Sequence, residues 1–240
     1  LYAPHLHPRI EHDDFASFRG AADGLALRLA RSDESLHRRL APTDPARRTV
    51  FDMLEQFRVE SLAGDEWPGV QRNLRHRFDS WLLAFHHSGL TESASGILLF
   101  TIAQVCHARV TQHPLLEETE DLMEATRAGI APLIGHSLAA LRRTRDDQAT
   151  YAVHALAIAA QVARLLEGAA QGDDTPDAVE RESDPRLAFG LLTALDENDD
   201  AEGAASVVTG RSRVLDASPG GYRVFTTAYD SELRPAGRIR

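Results

Sequence analysis

The sequence predicts an all-α protein: a helical bundle of about six helices, followed by an acidic flexible linker and a short β-prone C-terminal segment. Between residues 15 and 168, apolar residues recur at three-and-four spacing through six long segments, and no strand alternation occurs. Residues 173–202 hold eleven acidic residues and only two arginines. After Gly210 the composition turns to β-formers around a Pro-Gly-Gly turn at 219–221.

The first two helices are predicted before residue 41. The apolar face of the first, which ends near Ser32, is formed by Phe15, Phe18, Ala22, Leu25 and Leu29. A short second helix fits residues 33–40.

The central helix is predicted between Asp44 and Gly64. Asp44 can accept backbone N–H bonds as the N-cap, Pro45 suits the first helical position, and Gly64 suits the stop. The apolar face of this helix is formed at three-and-four spacing by Val50, Met53, Leu54 and Phe57.

Four further long helices carry the same spacing, at 70–88, 93–112, 117–143 and 147–168. Ser93 or Ser95 can cap the second of these, and Asp146 or Asp147 can cap the last. The helix at 117–143 is acidic at its start and basic at its end, as the helix macrodipole favours.

These patterns divide the chain into four parts: a flexible arm at 1–14, a helical domain at 15–168, an acidic linker at 169–209 with a short helix near 185–195, and the start of a truncated C-terminal region at 210–240. The linker has too little apolar surface to fold. The arm's metal-type ligands are His5, His7, Glu11, His12 and Asp13. Nothing rigid supports them, so a flexible polar arm is favoured over a metal site.

Composition bounds the function. The net charge is −10, concentrated in the acidic segment, which argues against nucleic-acid binding because that needs a basic surface. The longest apolar run, Gly96 to Cys106, is about half of the ~20 residues that span a bilayer and is expected to be a core helix. The lone Cys106 is expected to be a buried thiol, as in cytoplasmic proteins. Starting at Leu1 suggests a fragment.

Motifs for independent catalysis are weak. The chain has no lysine, which excludes a Gly-x-x-x-x-Gly-Lys ATPase loop, and it has no Gly-x-Ser-x-Gly elbow. Glu34 and His37 have the spacing of a di-iron ligand pair, but no second pair exists, so a solvated face is favoured. We therefore expect no catalytic, cofactor-binding or metal-binding residue on this chain.

A resemblance narrows these options. The run LHRRLAPTDPARRTVFDMLEQFRVESLAG at 36–64, with its neighbours GAADGLALRLARSD at 20–33 and PGVQRNL at 68–74, resembles the N-terminal region of CobT-type subunits of the aerobic, ATP-dependent cobaltochelatase. The segment GYRVFTTAYD at 221–230 resembles the family's part after its linker. The family's C-terminal metal-site motif is absent, because Glu232 stands where its first serine belongs.

The resemblance implies a non-catalytic assembly module for cobalt insertion into a corrin precursor in cobalamin biosynthesis. The implied partners are an AAA+ ATPase subunit and the large chelatase subunit, with no nucleic acid and no membrane, in the cytoplasm. ATP, magnesium and cobalt are implied for the whole complex and none of them for this chain.

The charged side of the central helix is the candidate partner-binding surface, and its residues are Glu55, Gln56, Arg58 and Glu60. If this side is exposed, replacing Glu55 and Arg58 by alanine weakens assembly and leaves the fold nearly intact. The alternative is a free-standing helical enzyme or ligand-binding protein. Its pocket would be lined by Trp67, Trp81, His86 and His107.

Overall fold

The computed structural model of the chain describes residues 15–172, which form an all-α bundle. Its helices are α1 (Phe15–Arg31), α2 (Glu34–Leu40), α3 (Pro45–Glu60), α4 (Pro68–His87), α5 (Ala94–Thr111), α6 (Glu120–Thr144) and α7 (Gln148–Gly172). The described part contains no strand, so the predicted fold class is confirmed, with α2 as the short extra helix. The predictions for the arm at 1–14, the linker after 172, the helix near 185–195 and the segment at 210–240 fall outside the described residues.

Side-chain caps begin the helices where the sequence places them. Asp44 accepts a bond from the Arg47 N–H at 2.8 Å, Ser93 accepts from the Gly96 N–H, and Asp147 accepts from two N–H groups of α7. The ends are predicted less well. α3 stops at Glu60, four residues before Gly64, because the N–H groups of Leu62 and Ala63 bond to oxygens only three residues back, as in tighter turns. α7 continues past Gly168 to Gly172.

α3 lies at the centre of the bundle and packs against α1, α5 and α7. Its predicted apolar face is confirmed, since Val50, Met53, Leu54 and Phe57 are all fully buried. Phe57 places its ring edge against Phe78 of α4, at 5.5 Å between ring centroids. This aromatic contact joins the two helices at the core.

The predicted apolar face of α1 is only partly buried: Phe18 and Leu25 are half-buried, whereas Ala22 and Leu29 are exposed. The buried face consists of Ser17, Gly20, Ala21, Gly24 and Arg28, whereas Leu29 is 65% exposed. A Cβ atom on Gly20 would lie 2.3 Å from the backbone oxygen of Asn73, so α1 approaches α4 more closely than any side chain permits. Helical spacing is kept, but the contact is made by small residues rather than by large apolar ones.

Two helices, α5 and residues 148–169 of α7, are long and apolar enough by length and composition to cross a membrane. A core helix of a soluble protein passes the same test. α5 contributes Phe100, Ile102 and Cys106 to the core with no exposed surface, which agrees with the expectation of a core helix.

Candidate functional site

The charged side of α3 is buried, and its predicted exposure is wrong. Glu55, Gln56, Arg58 and Glu60 are each 5% exposed or less. α1 covers them from one side, and the α6–α7 turn reaches Arg58. Charged side chains are buried when each finds a partner of opposite charge and satisfied hydrogen bonds. These residues therefore bind within the protein, and a partner protein would meet them only after the bundle opened.

Glu55 and Arg58 form a closed ion pair. The Arg58 Nε donates to Glu55 Oε2 at 2.7 Å and its Nη2 donates to Oε1 at 2.8 Å, a bidentate arrangement. The Ser32 hydroxyl adds a third bond to the Glu55 carboxylate at 2.6 Å. Bidentate charge-assisted bonds fix direction as well as distance.

The same guanidinium joins distant segments of the chain. Its Nη2 donates to the backbone oxygen of Arg31 at the end of α1, and its Nη1 donates to the backbone oxygen of Arg145 in the α6–α7 turn. Gln148 at the start of α7 donates to the Ser32 hydroxyl and to the Asp33 backbone. One arginine of α3 thus ties the end of α1 to the start of α7.

Glu60 and Arg77 form a second buried ion pair beneath α1. The Arg77 NH2 donates to Glu60 Oε1 at 2.5 Å, and the Gln56 amide donates to the same oxygen at 2.7 Å. Gln56 also donates to the backbone oxygen of Gly24, where a Cβ atom would crowd both the Gln56 amide and the Glu60 carboxylate. Burial raises the pKa of Glu60, and the charge of Arg77 opposes that rise. The absence of a side chain at Gly24 lets α1 rest on this cluster.

Arg77 is not among the site residues predicted from the sequence. It lies three residues after Leu74 and four before Trp81, so the helical spacing of those two apolar residues already placed it on the buried side of α4. An arginine at that position predicts a buried carboxylate facing it, which Glu60 supplies.

The structure separates the residues of the Glu-x-x-His motif. Glu34 pairs with Arg38 on the surface. His37 is buried, places its Nε2 2.6 Å from Asp52 of α3 and stacks on Phe51 with 4.7 Å between centroids. The expectation of a solvated face holds for Glu34 and fails for His37, because α2 folds back onto α3.

The four residues of the predicted pocket do not come together. Trp67 is 60% exposed before α4, Trp81 is a core residue stacked on Phe78, and His86 bonds to Thr91. Of the four, only His107 lines a cavity of about 550 Å³ that lies at the C-terminal ends of α3 and α5. Its other lining residues are Glu60 to Asp65, Gln71, Leu74, Thr111 to His113, Arg145 and Asp146.

The imidazole of His107 is neutral in this setting. It is buried, stacks on Phe78 at 3.6 Å between centroids and meets the edge of Phe57 at 5.0 Å. Burial lowers the pKa of His107 well below its usual value, and the nearby His113, Arg77 and Arg75 lower it further. Among residues 15–172, no group of three or more His, Cys, Asp or Glu side chains is placed to hold a metal ion.

Comparison with known proteins bears on the function of this bundle. The sequence profile of one family, the cobalamin biosynthesis protein CobT, matches residues 2–205. The chain belongs to the CobT family. The match includes all seven helices of the bundle and both buried ion pairs of α3. No solved structure matches the chain.

Membership confirms the resemblance predicted from α3 and its flanks. CobT proteins take part in cobalamin biosynthesis as subunits of a multi-protein cobaltochelatase, so this CobT chain has a role in cobalt chelation within a complex. The matched region extends beyond the bundle at both ends.

Proposed function

We propose that the helical body is a non-catalytic assembly module of the cobaltochelatase that inserts cobalt into a corrin precursor. It acts with an AAA+ ATPase subunit, which hydrolyses ATP with magnesium, and with a large chelatase subunit, which holds cobalt and the corrin ring. The complex works in the cytoplasm. Cobalt is a substrate of the complex in this proposal and has no site on the body.

The observation that supports this proposal is that charged side chains of α3 are buried and paired inside the protein. Glu55, Arg58 and Glu60 of α3 form buried ion pairs that hold α1, α4 and the α6–α7 turn in place. These groups position helices, and of the three only Glu60 also lines the cavity beside His107. A body built this way supports a binding role more than a chemical one.

The exposed candidate for contact with the AAA+ subunit is Trp67. It is 60% exposed in the loop between α3 and α4, next to the exposed acidic residues Asp65 and Glu66. Tryptophan is enriched among the residues that dominate binding energy at interfaces, and an acidic rim would favour a basic partner surface. This assignment replaces the charged side of α3, whose residues reach a partner only indirectly.

The test is complex formation between this chain and the AAA+ subunit, measured for Trp67→Ala against Leu29→Ala. Leu29 is the matched control because its exposed fraction, 65%, is close to that of Trp67. We expect Trp67→Ala to weaken the complex by about thirtyfold and Leu29→Ala to leave it unchanged, with both melting temperatures preserved. Equal binding by the two variants would contradict the assignment of Trp67, and failure of the unmodified chain to bind would contradict the assembly role.

A small-molecule role is the second candidate, and the cavity beside His107 favours it. The cavity combines a buried neutral imidazole with hydroxyl, amide and carboxylate groups, which suits a small polar ligand. Mixing with the AAA+ subunit separates the two candidates, because a body that only binds a small ligand forms no complex with that subunit.

A further inference from the structure

The outward face of α6 is uncharged along its middle. α6 buries Met123, Ile130, Ile134 and Leu141 against the bundle. With about 100° of rotation per residue, the opposite side is centred on Pro132 and includes, within about 60°, Ala125, Ala128, Gly129, Gly135, His136 and Ala139. All of these are exposed or half-buried, and a Cβ atom on either glycine would meet nothing. Two larger apolar residues flank this face, Leu122 at 39% and Leu133 at 48% exposure.

This face reads almost the same in both directions from Pro132. Gly129 and Gly135 lie three residues to either side, Ala128 and His136 lie four, and Ala125 and Ala139 lie seven. A face with this symmetry matches itself when a second helix is laid against it in the opposite direction. Small residues at the crossing would let the two backbones approach closely.

The two ends of this face carry charged residues that are also equally spaced from Pro132, and their charges have opposite signs. Asp121 lies eleven residues before Pro132 and Arg143 lies eleven residues after it, both exposed on the outward side. In an antiparallel pair, the acidic start of one α6 meets the basic end of the other, twice. The helix dipoles then also run in opposite directions, which is the favourable arrangement.

We propose that α6 pairs antiparallel with α6 of a second copy of this chain, about a two-fold axis at Pro132. The contact is isologous, so each copy presents the same patch and Asp121 of each meets Arg143 of the other. Leu122 and Leu133 lose their exposure to water at the edges of the contact.

Disulfide formation tests the position of the axis. Cys106 is the chain's one cysteine and is buried, so an engineered thiol is the reactive one. Pro132→Cys places two thiols together on the axis, and we expect a covalent dimer under mild oxidation. Ala26→Cys, at an exposed position of α1, is the control and should remain monomeric on a denaturing gel. Equal cross-linking of the two variants would overturn the proposal.

Charge reversal tests the pairing. Asp121→Arg and Arg143→Asp each turn two attractions of the symmetric contact into two repulsions, so each variant should raise the dimer dissociation constant about tenfold in sedimentation equilibrium. The double variant restores opposite charges and should return the constant to within about threefold of the unmodified chain. A chain that is monomeric at all concentrations overturns the proposal. A dimer insensitive to both reversals also overturns it, because it uses another face.

Discussion

α3 and α1 lie against each other and are held by different physical means. α3 is surrounded: one side packs aromatic and aliphatic residues into the core, and the other places Glu55, Arg58 and Glu60 in buried ion pairs. α1 is held along one side by small residues and leaves Leu29 in solvent. The difference shows that a helix can be held either by the packing and pairing of its side chains or by the close approach of its backbone to a neighbouring helix.

The largest effect is expected from Arg58→Ala. The substitution leaves the Glu55 carboxylate buried without its counter-charge and removes the bonds to the backbone oxygens of Arg31 and Arg145. We expect the free energy of unfolding in urea to fall by about 3–5 kcal/mol. Arg38→Ala removes a surface pair with Glu34 and should cost less than about 0.5 kcal/mol. Similar small losses for both variants would show that the α3 pair is not buried in solution.

This result also bears on the double variant Glu55→Ala with Arg58→Ala. The sequence predicts an intact fold with weakened assembly on the premise that both residues are exposed, and their burial at 2% exposure removes that premise. A melting loss accompanied by a proportional binding loss is now the expected outcome.

Phe57→Ala removes the large side chain at the centre of the apolar side of α3. Phe57 is fully buried between Phe78 and His107, so a cavity remains after truncation. We expect a loss of about 3–5 kcal/mol in the free energy of unfolding. Phe57→Leu keeps most of the apolar volume and should lose clearly less in the same titration. Equal losses of unfolding free energy in the two variants would show that the aromatic contacts of Phe57 do not stabilise the fold.

The apolar spacing and the capping residues were enough to predict the helices and the buried side of α3. They could not predict the burial of Glu55 and Arg58, because a charged side is buried only when remote carbonyls, here those of Arg31 and Arg145, arrive to satisfy it. Nor could they predict the face of α1. Close backbone approach at Gly20 depends on the shape of α4, whereas the spacing rule weighs only the helix's own side chains.

Gly20→Ala tests how α1 is held. The added Cβ atom would lie 2.3 Å from the Asn73 backbone oxygen and 2.8 Å from the Arg77 Cβ, so α1 has to move away from α4. The higher helix propensity of alanine offsets about 1 kcal/mol of this cost, and we expect the free energy of unfolding to fall by about 1–3 kcal/mol in total. Gly168→Ala in α7, where the new Cβ meets nothing, should stabilise by up to about 1 kcal/mol. A gain in both variants would mean that α1 and α4 are further apart.

Low pH should destabilise the bundle through His107 of α5, whose ring contacts Phe57 of α3. Its folded-state pKa lies well below the unfolded value of 6.5, so the unfolded chain binds the proton first and stability falls as the pH drops below about 6.5. One such group contributes a slope of up to about 1.4 kcal/mol per pH unit until the folded pKa is reached. His113 shifts in the same direction. His107→Gln should reduce the slope of the unfolding free energy between pH 6.5 and 5 by about 1 kcal/mol per unit; an unchanged slope would show that His107 is protonated in the folded state.

The smallest effect is expected on the outward side of α1. Leu29→Ala removes a side chain that is 65% exposed, so little apolar surface returns to water, and alanine is at least as favourable in a helix. We expect the free energy of unfolding to change by less than about 0.5 kcal/mol. Ala21→Leu, on the buried side at 2% exposure, enlarges the residue where α1 is tightly held and should cost about 1–3 kcal/mol. The apolar stripe alone predicts the reverse order, with a loss of about 2–5 kcal/mol for the truncated leucine. Urea titrations of the two variants therefore decide which side of α1 faces the bundle, and a larger loss for Leu29→Ala would restore the stripe as its buried face.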